Sequence, residues 1–576
     1  MNANDSKAQS RRHLLALLSL VLLCTWPILR YGLSDWGNDG MHHSLETKEF
    51  ARQFWDGDLY PRWLADFNGK LGSTSFFFVP TFSRFAVVWL EPLIGTWDPN
   101  GLYMTGIGAV LSFFLAAVAC YWWCRSFATP DAALFGAVIY TVQPYHLAVN
   151  LYTRGAMGEM WGNIWPPLIL LAQWRMIGGS RMAFPALALS YGCLVMNHMP
   201  TTLCFSVVPL FAAWFLSPAG KGWSVFVKTG LAMALGMGLA GGYLGPAMFD
   251  PKKAYLELMS EGMFQYHNLW LFRWDSLLQS QMRLMILTIL TLVPTAICWW
   301  AARRRESDAN RNLQLTLQGL MIVFAIFMSS QLSSPLYDIF KPLQMLQFPT
   351  RFLQVFVVPV AGIAALSWPY LRQPEGGWRG SLPRAAMSLF LLCTIAATLL
   401  GASKSFSVWR PFDTERQAMW ALCMKIRPEI YQYLPRTTHV REIDTPQKIA
   451  EFMKVYPPRQ MNLQGGGGET MAAPMVESWK ARKILLSVDS PAAGKLTIHH
   501  FAYPGWVGRR IDTGERIAVG ADGVGLMQMQ IPAGQYKLEM ELTELGPEWW
   551  GETISMASFG LLGGITLLGL RRRSQA

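Results

Sequence analysis

Residues 13–33, HLLALLSLVLLCTWPILRYGL, form an apolar run long enough to cross a hydrocarbon core of ~30 Å as a helix, and residues 35–63, DWGNDGMHHSLETKEFARQFWDGDLYPRW, follow it at once. The second stretch gathers Asp35, Asp39, Glu46, Glu49, Asp56 and Asp58, the pair His42 and His43, and several aromatics where the chain has just left the bilayer. Ionisable groups crowded at a membrane surface are costly unless they solvate, pair, bind a metal or do chemistry. This loop is therefore the leading candidate for a site.

Similar apolar runs recur along the chain. With 52% hydrophobic and only 15% charged residues the composition is that of a polytopic membrane protein rather than a soluble one. Twelve crossings are expected near 13–33, 102–124, 131–150, 157–177, 182–199, 201–217, 225–246, 283–301, 315–332, 351–371, 383–402 and 552–570. The net charge of +12 is not a nucleic-acid footprint, because the arginines cluster in short patches such as Arg11–Arg12, Arg303–Arg305 and Arg571–Arg573. Such patches mark cytoplasmic loops. An even count places both termini in the cytoplasm, with the loop of Arg372, Arg379 and Arg384 on the same side. The apolar run Leu14–Leu29 is followed by Arg30-Tyr31-Gly32-Leu33 rather than a small-residue cleavage site, so an uncleaved signal anchor is expected. Ser75–Gly95 is apolar enough to span, but counting it inverts every later loop. Pro80, Arg84 and Glu91-Pro92 mark it as re-entrant or interfacial.

The same count puts four polar pieces on the non-cytoplasmic side: the first external loop 34–74, the corner from Tyr145 to Glu159, the loop 247–282, and residues 403–550. The turns at Asn197-His198 and at 347–351 join them. Residues 1–402 thus form a transmembrane domain, 403–550 a soluble domain, and 551–576 a final crossing with a basic tail. Within the soluble domain, 413–455 reads as helix and loop, Gly465–Gly468 as a linker, and the alternation from about Lys483 as strands of a small antiparallel sandwich. Seven of eight cysteines lie in or beside apolar runs and no C-x-x-C occurs, which argues against a disulfide framework and a thiolate zinc site.

Asp39, His42 or His43, and Glu46 share one face if the segment after Gly40 is helical. Such a face either ligates a divalent cation or presents a carboxylate base oriented by an imidazole; an amphipathic helix facing water is the plain alternative. Asn38 and Gly40 flank Asp39 and favour a tight turn there. Tyr60, Arg62 and Trp63 suit either a phosphate head group or an aromatic anchor. Arg154 and Glu159 join two apolar helices, as an ion pair or as a phosphate ligand and a base. Lone His146 and His198 sit at helix ends, where a structural role is commoner, and Arg351 opens a helix. The chain has no Walker A sequence, no G-x-S-x-G and no H-E-x-x-H.

The order Asp39, His42-His43, Leu59-Tyr60-Pro61-Arg62-Trp63, Pro144-Tyr145-His146, Arg154 to Glu159, His198, Gln347 to Arg351, Tyr503-Pro504-Gly505-Trp506 and Pro532-Ala533-Gly534 resembles a family of bacterial multi-pass proteins. These are the 6-pyruvoyl-tetrahydropterin-synthase-related membrane proteins, with YfhO-like relatives. More widely, it resembles the GT-C glycosyltransferases. The resemblance implies a mainly α helical bundle in the bacterial inner membrane with an extracytoplasmic α+β domain. It implies a hexosyl or pentosyl transferase using a polyprenyl-phosphate sugar donor and a cell-envelope glycan, lipid or protein as acceptor. Asp39 then matches the essential acidic residue of the first external loop, with Glu159 as a second catalytic carboxylate. His42, His43, Tyr60, Arg62, Trp63, His146, Arg154, His198 and Arg351 form the substrate set. A divalent cation, magnesium or manganese, would sit on Asp39 and His43, although Asn38-Asp39 replaces a full Asp-x-Asp. A flippase or transporter of lipid-linked saccharide and a non-catalytic envelope scaffold are the competing readings.

Overall fold

The computed structural model describes residues 3–574 except 36, 263–264, 274–278, 373–377 and 410–412. Part of the basic loop expected between Arg372 and Arg384 therefore lies outside the described residues. Among those described, nine helices are long and apolar enough to cross a membrane: Lys7–Tyr31, Leu102–Cys124, Pro130–Arg154, Gly222–Leu239, Gln281–Arg305, Ala309–Ser329, Pro349–Arg372, Ser381–Ser405 and Gly546–Arg571. This is a multi-pass membrane protein. The other three expected crossings are shorter. The segment at 157–177 breaks into Met157–Gly162 and Trp165–Ile177, and the next two are Ala183–Val195 and Met199–Phe215. A helix of 13 residues such as Ala183–Val195 rises only about 20 Å, less than the hydrocarbon thickness.

Ser75–Gly95 does not form one helix. It breaks into Ser75–Phe78, Phe82–Phe85, Val88–Leu90 and Glu91–Ile94, turns of about 6 Å at most. Pro80 and Pro92 each lack an N–H that a continuous helix requires. The segment folds back on the loop helix Gly40–Trp55. Lys48 Nζ donates to Glu91 Oε1 at 2.7 Å and to Gly95 O at 2.6 Å, and Phe50 packs edge-on against Phe76 and Phe85.

The soluble domain pairs two short helices, Thr414–Ile426 and Pro446–Val455, with a sandwich of two five-stranded sheets. In chain order the strands are β1 Met461–Gly465, β2 Thr470–Met471, β3 Met475–Lys480, β4 Lys483–Ser490, β5 Gly494–Phe501, β6 Trp506–Arg510, β7 Arg516–Ala518, β8 Gly520–Ala521, β9 Leu526–Ile531 and β10 Gly534–Leu542. The sheet orders are β2-β1-β5-β9-β8 and β3-β4-β10-β6-β7, with antiparallel pairing throughout. Inward residues such as Ile484, Leu486, Ile498, Met527, Leu538 and Met540 close a core between them. The strands therefore begin at Met461 rather than near Lys483, and Gly465–Gly468 is a hairpin turn between β1 and β2 rather than a linker. Glycines read as flexible in sequence are equally suited to a tight turn.

The final helix, Gly546–Ser574, docks on Gly241–Phe249 at close range: a Cβ on Gly551 would stand 2.6 Å from Gly241 O. Small residues at such crossings let membrane helices approach and gain packing.

Candidate functional site

The polar pieces that lie far apart in sequence meet at one end of the bundle. Asp39 occupies the position before the first turn of Gly40–Trp55, and its side chain makes no capping bond, so the carboxylate is left for other partners. Backbone bonds stitch this turn to the corner after the π-helical stretch Tyr145–Arg154: Asn38 N–H donates to Thr153 O at 3.2 Å and Asp39 N–H to Arg154 O at 2.8 Å. Gly155, at φ +67°, makes the approach feasible, since a Cβ there would lie 2.7 Å from Gly40 Cα.

The stitch delivers Arg154 to Asp39, with Nη2 3.2 Å from Oδ2. The other guanidinium nitrogen, Nη1, reaches Glu159 Oε1 at 2.7 Å. Glu159 is 1% exposed and fully engaged. Gln354 Nε2 donates to its Oε2 at 2.5 Å, Tyr145 OH lies at 3.4 Å, and Arg351 Nε stands 3.8 Å from Oε1. Arg351 is aimed by an unusual turn. Gln347 adopts φ +62°, ψ −51°, and Phe348 N–H closes a three-residue γ-turn on Leu346 O at 2.6 Å, which then accepts from Arg351 Nη1 at 2.9 Å. Such a backbone costs about 1–3 kcal/mol and persists only where surroundings enforce it. His198 caps Met199–Phe205 through Nδ1, which accepts from Thr201 N–H at 3.3 Å, and its ring lies against Gly158 beside Glu159. Two carboxylates and two guanidiniums thus balance in charge, and only the Asp39 side chain, 38% exposed, opens widely to solvent.

A second cluster lies one helical turn along the same helix. His42 Nε2 is 3.3 Å from both Glu46 Oε1 and Glu429 Oε1, and His43 Nδ1 is 3.0 Å from Glu46 Oε2. Buried Arg84 pairs with Glu46 and lies 2.8 Å from His43 Nδ1. Burial by itself would lower the His42 pKa, but the neighbouring carboxylates of Glu46 and Glu429 outweigh it and push it up to about 10. For His43 burial prevails and the pKa falls. Burial also opposes ionisation of Glu46, yet His42 and Arg84 hold its carboxyl well below the usual range. Among the described residues, His42, Glu46 and Glu429 are the group whose donor atoms gather closely enough for a metal, all within 4.8 Å of one another. The ligand pair expected from sequence, Asp39 and His43, is not the one assembled: Asp39 faces Arg154, and His43 Nδ1 faces Glu46 and Arg84.

Four other expected residues are used elsewhere. Arg62 is 1% exposed, ion-paired to Glu548 at 3.3 Å and Glu552 at 2.8 Å, with the Tyr60 ring 4.1 Å from its guanidinium carbon. Trp63 is buried in the soluble domain against His500, Tyr503 and Trp506. These three bolt the loop to the final helix and the sandwich, and a phosphate could take Arg62 only by displacing both carboxylates. His146 is buried edge-on against Tyr140, with Nδ1–H donating to Tyr140 O at 2.8 Å. Its packing is structural.

Sequence reading passed over Gln354 and Glu429. Gln354 lies in an apolar helix where a lone amide is a weak signal, and Glu429 sits in an ordinary polar stretch with no signal at all. Arg84, a charge within an apolar segment, is the clearest pointer the sequence offers to this cluster.

No family model matches the chain, and no curated protein matches it in sequence. Among solved structures, arabinofuranosyltransferase AftD from Mycobacteria aligns over 69% of this chain and 27% of its own, at 15% identity and TM-score 0.43. ArnT from Cupriavidus metallidurans, bound to undecaprenyl phosphate, aligns over 82% and 97%, at 14% identity and TM-score 0.41. The archaeal oligosaccharyltransferase AglB from Archaeoglobus fulgidus, in complex with an inhibitory peptide and a dolichol-phosphate, aligns over 68% and 56%, at 13% identity and TM-score 0.37. The chain spans about a quarter of the AftD structure it matches. The similarity to these proteins is one of outline.

Proposed function

We propose that this protein is a GT-C-type membrane glycosyltransferase that moves a sugar from a polyprenyl-phosphate donor to a cell-envelope acceptor at the extracytoplasmic face of the bacterial inner membrane. The carrying observation is the half-exposed Asp39 carboxylate held against Arg154, with Arg351 behind it on the shared anchor Glu159. In the resting arrangement Arg154 is paired with Asp39 through one carboxylate oxygen. An incoming lipid phosphate competes for that guanidinium nitrogen, and its binding frees Asp39 beside the reacting centre.

Asp39 then takes the proton of the acceptor hydroxyl as the acceptor oxygen bonds to the sugar carbon. The bond from that carbon to the phosphate oxygen breaks, and the polyprenyl phosphate leaves with the electron pair. Arg154 and Arg351 stabilise the charge that develops on it. Glu159, buried and bonded on both oxygens, acts by orienting these two arginines rather than as a base. A site at the bundle's end, under the soluble domain, lets a lipid donor and a polar acceptor meet with neither crossing the membrane.

Transport of an intact lipid-linked saccharide needs a polar path through the bundle. The buried polar side chains Gln143 and Asn150 favour that reading in part, but the cavity bordered by His146 and Asn163 measures about 10 Å³, room for one water. The deciding experiment supplies labelled polyprenyl-phosphate sugars to membranes carrying wild type or Asp39→Asn and follows label onto envelope acceptors. Transfer should fall by about 10²–10⁴-fold in the variant at equal expression. Equal transfer by both chains removes Asp39 from the chemistry, and label crossing the membrane still attached to its lipid replaces transfer with transport.

A further inference from the structure

The His42 cluster has the build of a metal site, and none of the chemistry proposed above uses it. His42 and Glu46 stand one turn apart on one face of Gly40–Trp55, while Glu429 arrives from the soluble domain just beyond the helix Thr414–Ile426. Each carboxylate commits one oxygen to supporting bonds. Glu46 Oε2 is held by Arg84 and His43, and Glu429 Oε2 accepts from Ser73 Oγ at 2.5 Å and from Ser75 Oγ. The remaining oxygens, both Oε1, converge on the same nitrogen of His42 at 3.3 Å; that of Glu429 also accepts from Ile430 N–H at 2.8 Å. Supporting bonds that leave one oxygen of each carboxylate aimed inward are characteristic of ligating residues.

The separation argues for a cation between these atoms. A charge-assisted N–H···O bond closes to about 2.7–2.9 Å, whereas His42 Nε2 stands off at 3.3 Å from two carboxylates and makes a hydrogen bond to neither. Two bonds of about 2.1 Å meeting at about 104° span that same 3.3 Å, close to the tetrahedral angle at zinc. One imidazole and two carboxylates, with the His42 side chain 15% exposed, form a three-ligand set suited to zinc or manganese.

We propose that His42, Glu46 and Glu429 bind one divalent transition-metal ion, which clasps the soluble domain onto the first external loop. The ligands are distinct from Asp39, and the assignment stands whether or not sugar transfer is the activity. The clasp joins ionic contacts at the same seam, Arg427 with Glu49 at 3.0 Å and Arg459 with Asp66 at 2.7 Å, and it alone requires an exogenous ion.

The test uses the full chain in detergent, stripped with a chelator and dialysed. Zinc chloride and manganese chloride are titrated calorimetrically, and bound metal is counted by elemental analysis after desalting. The expected result is one ion per chain, a higher unfolding temperature with metal, and at least tenfold weaker binding in both His42→Gln and Glu429→Gln. The two variants alter opposite sides of the seam, so misfolding of one leaves the other to decide. Wild type that retains no stoichiometric metal overturns the proposal and leaves a protonated imidazole between two carboxylates. Stoichiometric binding unchanged in the folded variants overturns it as well, by placing the ion elsewhere.

Discussion

Replacing Arg62 by methionine tests whether the Tyr60-Pro61-Arg62-Trp63 turn is a bolt or a phosphate ligand. The guanidinium is 1% exposed and bonds Glu548, itself 1% exposed, Glu552, and the carbonyl of Gly242 at 3.1 Å. Its loss strands Glu548 in a buried setting, because the nearest other cation, Arg482, stands 4.0 Å away. Breaking one side of a buried ion pair costs about 3–5 kcal/mol. Arg482 offsets part of this and the lost Tyr60 contact adds up to about 1 kcal/mol, so about 3–4 kcal/mol of destabilisation is expected. Glu552 is 36% exposed and can be hydrated, so Glu548 is the residue left without compensation. Adding Glu548→Gln removes the stranded charge and should restore most of the loss. The assay is unfolding of the purified full chain followed by tryptophan fluorescence, with protease susceptibility of residues 403–550 in parallel. An Arg62→Met chain as stable as wild type that no longer binds a polyprenyl-phosphate donor would instead make Arg62 a phosphate ligand.

Two further outcomes follow from local geometry. Gly155→Ala adds a Cβ against Gly40 at a backbone φ of +67°, so about 1–3 kcal/mol of stability should be lost together with most transfer, although Asp39 and Arg154 remain. Unfolding and transfer measured on one preparation check this, and unchanged values for both discard the stitched corner. His500 stacks between Trp63 and Trp479, and burial drops its pKa to about 4; Arg459 lowers it further and Asp66 acts against this. Because the unfolded chain takes up this proton near the ordinary value of 6.5, His500 contributes nothing unfavourable above that pH. Stability then drains by up to about 3 kcal/mol as pH falls from 6.5 towards 4. In His500→Phe that part of the pH dependence should vanish; an unchanged acid limb assigns it to other groups.

Composition and hydropathy set the class of molecule and the neighbourhood of its site. Hydropathy is a local property, so runs such as Leu102–Cys124 and Ser381–Ser405 declare themselves residue by residue, as does the alternation of β4 and β5. Charges beside the bilayer are expensive, and that cost alone singled out the loop carrying Asp39, His42 and His43. Which partner each charge meets is settled by folding over long separations. Arg62, Arg154 and Arg351 all read as arginines set among aromatics or at helix ends. Folding consigns Arg62 to Glu548 and Glu552, nearly the whole chain away, and gathers the other two on Glu159. Glu429 joins His42 from almost 390 positions downstream, and Gly465–Gly468 becomes a hairpin because β1 and β2 find each other. An ion pair or a metal site is fixed by chain closure over such separations, and no local pattern of residue types encodes that closure.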